Sequence, residues 1–401
     1  MITTINNEHK KVYVPNLRFK EFQGEWEKCK LLKICTFFSG GTPSSSNKDF
    51  YGGNIPFIRS GELHADSTEL FITQAGFDSS SAKMVEIGDL LLAMYGATSG
   101  DIAVSKIKGA INQAILCIRT KQNKKFIESV WNKHVSKNLR KYLQGGQGNL
   151  SADIIKGISF SFPTLKEQEK IANLVSLLDE RIATQNKIID KLQSLIKGLN
   201  DTLYAQHGDE VMTSFAELGT SYSGLSGKSA QDFGSGKPFI TYLNVYSNNV
   251  INENDFQYVA IKDGEKQNVA EYGDVLFTLS SETPEEVGIG SVYLGKEKVY
   301  LNSFCFGIHI TNAEIAFPPY LSYYVSSTPF RKFVYPYAQG STRFNLCKAE
   351  FEKASIKLPS LESQKRIYSI LKSIASKIET EKKLLGLYYT QKQYLLRQMF
   401  I

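Results

Sequence analysis

Apolar residues recur at alternating steps of four and three along two stretches of the chain. The first runs Ile171, Val175, Leu178, Ile182, a polar Gln185, then Ile189, Leu192, Ile196, Leu199 and Leu203. The second runs Ile367, Leu371, Ile374, Ile378, a polar Glu381, then Leu385, Tyr388, Lys392, Leu395 and Met399. This is a heptad seam, and it predicts two amphipathic helices, each about 60 Å long at about 1.5 Å per residue. Corresponding positions stand 196 residues apart, Gln185 and Glu381 included. The same offset relates the helix openings, PTLKEQEKIANLVSLLDERI from Pro163 and PSLESQKRIYSILKSIASKI from Pro359. Thr164 with Glu167 predicts a capping box at the first opening. Ser360 can cap the second, where Ser363 replaces the acid and leaves the box half present.

Two seams of one period in one chain predict mutual pairing. An antiparallel pair would bring Gln185 and Glu381, both near mid-helix, into a polar layer that sets register; two exposed helix positions would give the same sequence. The repetition continues upstream. IPFIRSGEL (55–63) resembles KPFITYLNV (237–245), IGDLLLAM (87–94) resembles YGDVLFTL (272–279), and AINQA (110–114) resembles YLNSF (300–304). The offsets grow slowly, as small loop insertions would make them. The chain therefore reads as globular unit 1–163, long helix 164–207, globular unit 208–358 and long helix 359–401. Short apolar runs bounded by Gly, Ser, Thr and Asn predict mainly β units, with helices near 126–143 and 319–335. The expected fold class is α+β: two similar mixed domains separated by an antiparallel coiled coil, with pseudo-two-fold symmetry.

Composition adds little to this. A 42% hydrophobic and 22% charged chain of 401 residues is ordinary for a globular protein. No apolar run suggests a membrane span and the polar start carries no signal-peptide core, so a soluble, cytoplasmic protein is expected. The five cysteines and five histidines are scattered without metal-site spacing, which predicts free thiols and no metal. The net charge of +7 is uneven: residues 1–160 carry +7, 161–212 carry −2, 213–358 carry −3 and 359–401 carry +5. A polyanionic partner is allowed, with a local patch such as Arg331, Lys332 and Arg343 needed in the acidic third segment.

Five segments in order then resemble one family. They are LRFKEFQGEWE, SGGTPSSSNKDFYGGNIPFIRSGEL, GDLLLAMYGATSG, GAINQAIL and QGGQGNLSADIIKGISFSFPTLKEQEKIA. In order and spacing, from about Val14 to Met399, the chain resembles the specificity subunit of type I DNA restriction–modification systems. The resemblance implies two target-recognition domains that each read half of a split DNA sequence, and paired helices that set the distance between the halves. It implies double-stranded DNA, two methyltransferase subunits and two restriction subunits as partners. S-adenosylmethionine, ATP and magnesium would sit on those partners, with no cofactor and no catalytic residue on this chain. The second unit departs from the pattern, with only SGLSGKS where the first has its Gly-Gly-Thr-Pro-Ser stretch.

A reader of DNA needs donors and acceptors on rigid loops. In the first unit the candidates are Gly41, Thr42 and Ser44, in a loop whose glycines would allow close approach to a phosphate or make an ordinary strand connection. Arg59 and Ser60 follow an apolar strand, and Tyr95 and Thr98 lie in a polar loop. Asn112 and Gln113 can read adenine or tie down a turn. Gln147 and Asn149 lie in a glycine-rich stretch without the Lys-Ser/Thr ending of a nucleotide loop. The second unit offers Thr241, Tyr242, Asn244, Ser280, Ser281, Asn302, Arg343 and Asn345. The helix pair is expected to use Ile171, Val175, Leu178, Ile182, Gln185, Ile189 and Leu192 with Ile367, Leu371, Ile374, Ile378, Glu381 and Leu385.

Two rival classes remain open. AFPPY (316–320) resembles an adenine-methyltransferase motif, but Phe317 stands where an Asn or Asp oxygen must accept the target amine's hydrogen bond, so a Pro-Pro helix start is the better reading. The second rival is a non-catalytic coiled-coil adaptor that binds something other than DNA.

Overall fold

The structure is a computed structural model that describes residues 13–142, 150–205 and 209–401, with backbone alone for 136–142 and 204–205. The chain divides into two units, Met1–Asn186 with Leu384–Ile401, and Lys187–Lys383.

In the first unit, an antiparallel sheet has the spatial order Cys35–Ser39, Ile115–Thr120, Leu90–Ala93, Ile102–Val104. Leu90–Ala93 is apolar at every position because it is a central strand buried along its whole length. A second sheet has the order Phe71–Ile72, Tyr51–Ile58, Gly109–Ile111, Lys83–Val85. Its middle pair is parallel, with Phe57 opposite Ala110. The unit closes on the antiparallel ribbon Glu27–Lys30 with Ser159–Phe162.

The second unit repeats both sheets and the closing ribbon. Its sheets have the orders Gly219–Ser223, Cys305–Ile310, Val275–Thr278, Gly290–Val292 and Gln257–Val259, Phe233–Ile240, Val299–Leu301, Val269–Ala270. Again the middle pair of the second sheet is parallel, with Phe239 opposite Tyr300. The closing ribbon is Val211–Thr213 with Ile356–Leu358. A small third sheet joins Ser280–Ser281, Phe344–Leu346 and Ala338–Gln339. The fold class read from the sequence, mixed units with two long helices, is the observed one.

The long helices are Leu165–Ala205 and Leu361–Met399. The heptad seam faces protein: Ile171, Val175, Leu178, Ile182, Gln185 and Ile189 are buried in the first, and Ile367, Leu371, Ile378 and Glu381 in the second. Leu192, Ile374 and Leu385 are half-buried. In the first unit, Ile171 and Val175 share a core with Leu396 and Met399. There Asp179 pairs with Lys392 at 2.5 Å, and the Arg181 guanidinium lies 5.7 Å over the Tyr388 ring. In the second unit, Ile367 and Leu371 pack with Leu199 and Leu203. Within each unit the beginning of one helix therefore lies beside the end of the other, and the helices run antiparallel.

One buried glutamine ties each helix start to its unit. The Gln168 amide donates to the Pro163 carbonyl at 2.9 Å and accepts from the Asn123 N–H at 3.1 Å. The Gln364 amide donates to Pro359 at 2.8 Å and accepts from the Phe317 N–H at 2.8 Å. Both residues are at most 1% exposed, so these bonds satisfy groups that water does not reach.

Two local expectations need correction. Thr164 caps its helix by accepting from the Glu167 N–H at 3.4 Å. The Glu167 carboxylate, however, does not complete the box. It is buried against Arg18, at 2.7 Å, and accepts from the Trp26 indole at 3.3 Å. The helix read near 319–335 is two, Pro318–Tyr324 and Thr328–Val334. Ser327 accepts from the Phe330 N–H and starts a new helix, and Pro329 in its first turn lacks the N–H that a continuous helix would need.

Candidate functional site

In each unit, strand ends and turns far apart in sequence meet at one edge. In the first, the Asn112 N–H donates to the Ile58 carbonyl at 3.3 Å, the Gly41 N–H to Ile111 at 3.2 Å and the Met94 N–H to Ala114 at 2.8 Å. In the second, the Asn302 N–H donates to Ile240 at 2.9 Å, the Leu225 N–H to Leu301 at 2.7 Å and the Leu279 N–H to Phe304 at 2.9 Å. These bonds bring the first-unit loops at 41–44, 59–60, 95–98 and 112–113 to one place, and in the second unit their counterparts at 225, 241, 280 and 302.

In the first unit the glycines serve this crossing. A Cβ on Gly40 would stand 1.8 Å from the Ile111 oxygen, and one on Gly41 would stand 2.0 Å from the Ser81 hydroxyl. Their close approach is thus to the chain itself, at the Ile111 carbonyl and at Ser81, as in a strand connection. The same loop leaves Thr42 and Ser44 exposed, with Thr42 hydrogen-bonded to Gln113 and Ser44 to Ser46 at 2.8 Å. Arg59 is exposed and held by Glu62 at 2.9 Å and Glu69 at 3.1 Å. Burial pushes the Glu62 carboxyl up, but Arg59, the Glu69 N–H and Thr68 outweigh it and bring the pKa down to about 2. Ser60 opens the one-turn helix Ser60–Glu62. Tyr95 is exposed and Thr98 half-buried in the turn that follows Leu90–Ala93. The Asn112 side chain accepts from the Ala114 N–H at 3.1 Å, so it ties the turn. Gln147 and Asn149 lie outside the described residues.

In the second unit, Tyr242, Ser280, Ser281 and Arg343 line one cleft of about 940 Å³ with Tyr246, Glu282, Glu286, Phe304 and Thr342. Tyr242 and Tyr246 stack at 6.0 Å, and the Tyr242 hydroxyl donates to the Ser280 carbonyl at 2.8 Å. Arg343 lies 5.6 Å from the Phe304 ring centre and donates to the Ser280 hydroxyl at 3.2 Å. Asn345 is exposed on the strand paired with Ser280. Other candidates turn inward. Asn244 is buried and accepts from the Asn252 N–H at 3.0 Å. Thr241 caps the helix Tyr242–Ser247. Asn302 accepts from the Phe304 N–H at 2.9 Å, the counterpart of Asn112. The expected cationic patch also divides: Arg331 is directed at the carbonyls of Glu285, Gly288 and Val287. Its burial lowers its pKa to about 10, while Lys332 and Arg343 remain exposed.

One buried carboxylate in each unit occupies the same place, just before the central strand Leu90–Ala93 or Val275–Thr278 and at the end away from the crossing. Asp89 meets Arg119 at 2.7 Å, and the Arg119 guanidinium lies 4.9 Å over Phe38. Asp274 meets His309 at 2.9 Å and Tyr222 at 2.6 Å, and His309 stacks on Tyr222 at 4.2 Å. Sequence reasoning missed Gln168, Gln364, Tyr246, Glu286 and Phe304. Only the glutamines left a signal, a polar residue at one repeated position of two apolar helix openings.

Among the described residues no group of three or more His, Cys, Asp or Glu is placed to hold a metal, and no helix is long and apolar enough to cross a membrane. Phe317 and Pro318 open the helix Pro318–Tyr324, and Tyr320 is buried within it.

A duplicated recognition-type domain linked by antiparallel helices is the architecture these observations define. The family described as Type I restriction modification DNA specificity domain matches the chain twice, at residues 23–194 and 224–386. The chain belongs to this family and is a type I DNA specificity subunit with two target-recognition domains. It is 26% identical over 408 residues, 90% of either chain, to the putative type I restriction enzyme MjaX specificity subunit of Methanocaldococcus jannaschii. It is 27% identical over 190 residues to the HindI specificity subunit of Haemophilus influenzae, 43% of this chain and 40% of that one. In fold it is similar to the S subunit from M. genitalium, with TM-score 0.57 and 14% identity over 97% of this chain and 99% of that one. A chain from a structural study of complex assembly in the type I R-M system gives TM-score 0.62 and 16% identity, over 92% and 96%.

Proposed function

We propose that this specificity subunit reads a two-part DNA sequence, each unit contacting one half at the edge where its loops converge. The observation that carries the reading is the pairing of an unvaried crossing with varied side chains. The backbone bonds at Ile58–Asn112 and Ile240–Asn302 correspond, while the side chains beside them differ, exposed Arg59 against half-buried Thr241 and exposed Tyr95 against buried Ser280. Two copies of one scaffold bearing different donors and acceptors suit two different half-sites.

The chain contributes recognition and no chemistry. Two methyltransferase subunits, with S-adenosylmethionine, dock on the helix pair and adjoining faces, and two restriction subunits bring ATP and magnesium. A helix of 41 residues is about 60 Å long, nearly two DNA turns at about 34 Å each. Helix length thus sets the spacer between half-sites, in a complex that works in the cytoplasm.

The test is to purify the chain with the methyltransferase subunit encoded beside it and supply genomic DNA and labelled methyl donor. Methylation at a two-part sequence is expected. An undivided target, or co-purification without DNA selectivity, would overturn the reading; methyl transfer by this chain alone would overturn its non-catalytic part. Deleting seven residues from the middle of each helix shortens the spacer and leaves both half-sites unchanged; an unaltered spacer would rule out the ruler.

A further inference from the structure

The cleft of the second unit is edged by a hairpin that the first unit's described residues do not include. Ala338–Gln339 pairs antiparallel with Phe344–Leu346, and the tip, residues 340–343, is exposed and polar. The tip is tightly folded: Gly340 has φ +144°, and a Cβ there would meet the Arg343 carbonyl oxygen at 2.1 Å. A two-stranded ribbon of this kind fits the major groove, which is about 12 Å wide.

Two side chains of opposite hydrogen-bonding character face this one cleft. Arg343 can only donate, and its guanidinium is positioned by Phe304 and Ser280. Glu286 accepts from the Tyr246 hydroxyl at 2.8 Å and from Ser281 at 3.2 Å. The Tyr246 hydroxyl holds the Glu286 carboxyl below the usual range, against a smaller opposing effect of burial and with help from Ser281 and Thr283, so it is an ionised acceptor. A carboxylate has about four lone-pair sites; with Tyr246, Ser281 and Thr283 as partners, about one is left for a ligand. In the major groove a G·C pair shows two acceptors on guanine, O6 and N7, beside a donor on cytosine, N4. A pure donor next to a pure acceptor is the complement of that pattern.

Resting on the reading above, we infer that hairpin 338–346 is the groove-reading ribbon of the second unit and that it specifies a G·C pair, Arg343 on the guanine and Glu286 on the cytosine amine. A phosphate role for Arg343 is the competing account, and the two differ in measurable ways. In the complete methyltransferase complex, binding is measured for the cognate duplex and for every single base-pair substitution, at several salt concentrations. Arg343→Ala is expected to erase the preference for one G·C pair in one half-site, a loss of about 10- to 100-fold in discrimination, with the other half-site unaffected. Arg343→Lys keeps the charge but not the fork, and is expected to lose the same preference while keeping the salt slope. Glu286→Gln, which matches the native side chain in size, is expected to relax the same base pair. Equal weakening on all sequences with a shallower salt slope, or relaxation at no G·C position, would overturn the inference and leave the two-part reading standing. If the unsubstituted complex has no two-part target, the reading itself fails, and that result needs no variant.

Discussion

The two units share a backbone frame and a few buried polar anchors, and differ in many of the side chains that the frame carries. Each has a buried glutamine at its helix start, an Asn that ties the turn before a central strand, and a buried aspartate at the strand end away from the crossing. The partners of that aspartate differ: Arg119 with Phe38 in one unit, His309 with Tyr222 in the other. At the crossing, exposed Arg59 of the first unit is replaced by half-buried Thr241, and the exposed tyrosine at 95 by buried Ser280. The backbone crossing is satisfied by main-chain bonds, so it does not depend on which side chains decorate it. Side chains at the edge are then free to differ without disturbing the scaffold, which is what a reader of two sequences needs.

The equivalence is tested most severely at the glutamines. Gln168→Leu and Gln364→Leu each strand a buried backbone N–H and carbonyls, and each is expected to cost about 3 kcal/mol in urea unfolding. A large cost in only one unit would show that the two anchors are not equivalent.

The aspartates should separate the units by pH. Burial pushes Asp89 up, but Arg119, the Glu86 N–H and Lys124 outweigh it, and its pKa is lowered. Its contribution is therefore present above the unfolded value near 3.9 and lost as pH falls through the native value. Asp89→Asn should cost about 1 kcal/mol at pH 7, since Arg119 is partly exposed and screened, and less in acid. For Asp274 burial prevails over Tyr222, the Glu271 N–H and His309, and its pKa is raised. The native fold then favours the protonated form, so the cost of Asp274→Asn should grow as pH falls through the raised native value toward 3.9. Thermal unfolding from pH 7 to pH 3 checks this, and pH slopes of the same sign would break the contrast.

Asn112→Ala and Asn302→Ala should each cost about 1 kcal/mol through loss of one turn hydrogen bond, again equally. The smallest effect on stability is expected from Arg59→Thr, which copies the second unit into the first. Its exposed ion pairs should contribute under about 0.5 kcal/mol, while methylome sequencing should show a changed target in one half-site only. A change in both halves would break the division of labour between the units.

Much of this was legible in the chain before any coordinates. Heptad phase alone placed Ile171, Val175, Ile367 and Leu371 inside, and the buried positions follow that phase. The loop residues were another matter. Asn244, Ser280 and Arg331 carry the same local signal as Thr42, Thr98 and Arg343: a polar side chain between apolar runs. Their fates depend on segments remote in sequence: Arg331 on the carbonyls of 285–288, and Ser280 on the hairpin that ends at Leu346.

The sequence by itself determined the duplication, the two helices and the side of each that is buried, because periodicity and repetition are properties of order along a chain. Only the tertiary structure decided which polar groups are consumed in holding loops together and which are left facing outward. A side chain's hydrogen-bonding capacity belongs to the residue, but whether it is already satisfied depends on neighbours that only folding brings within about 3 Å.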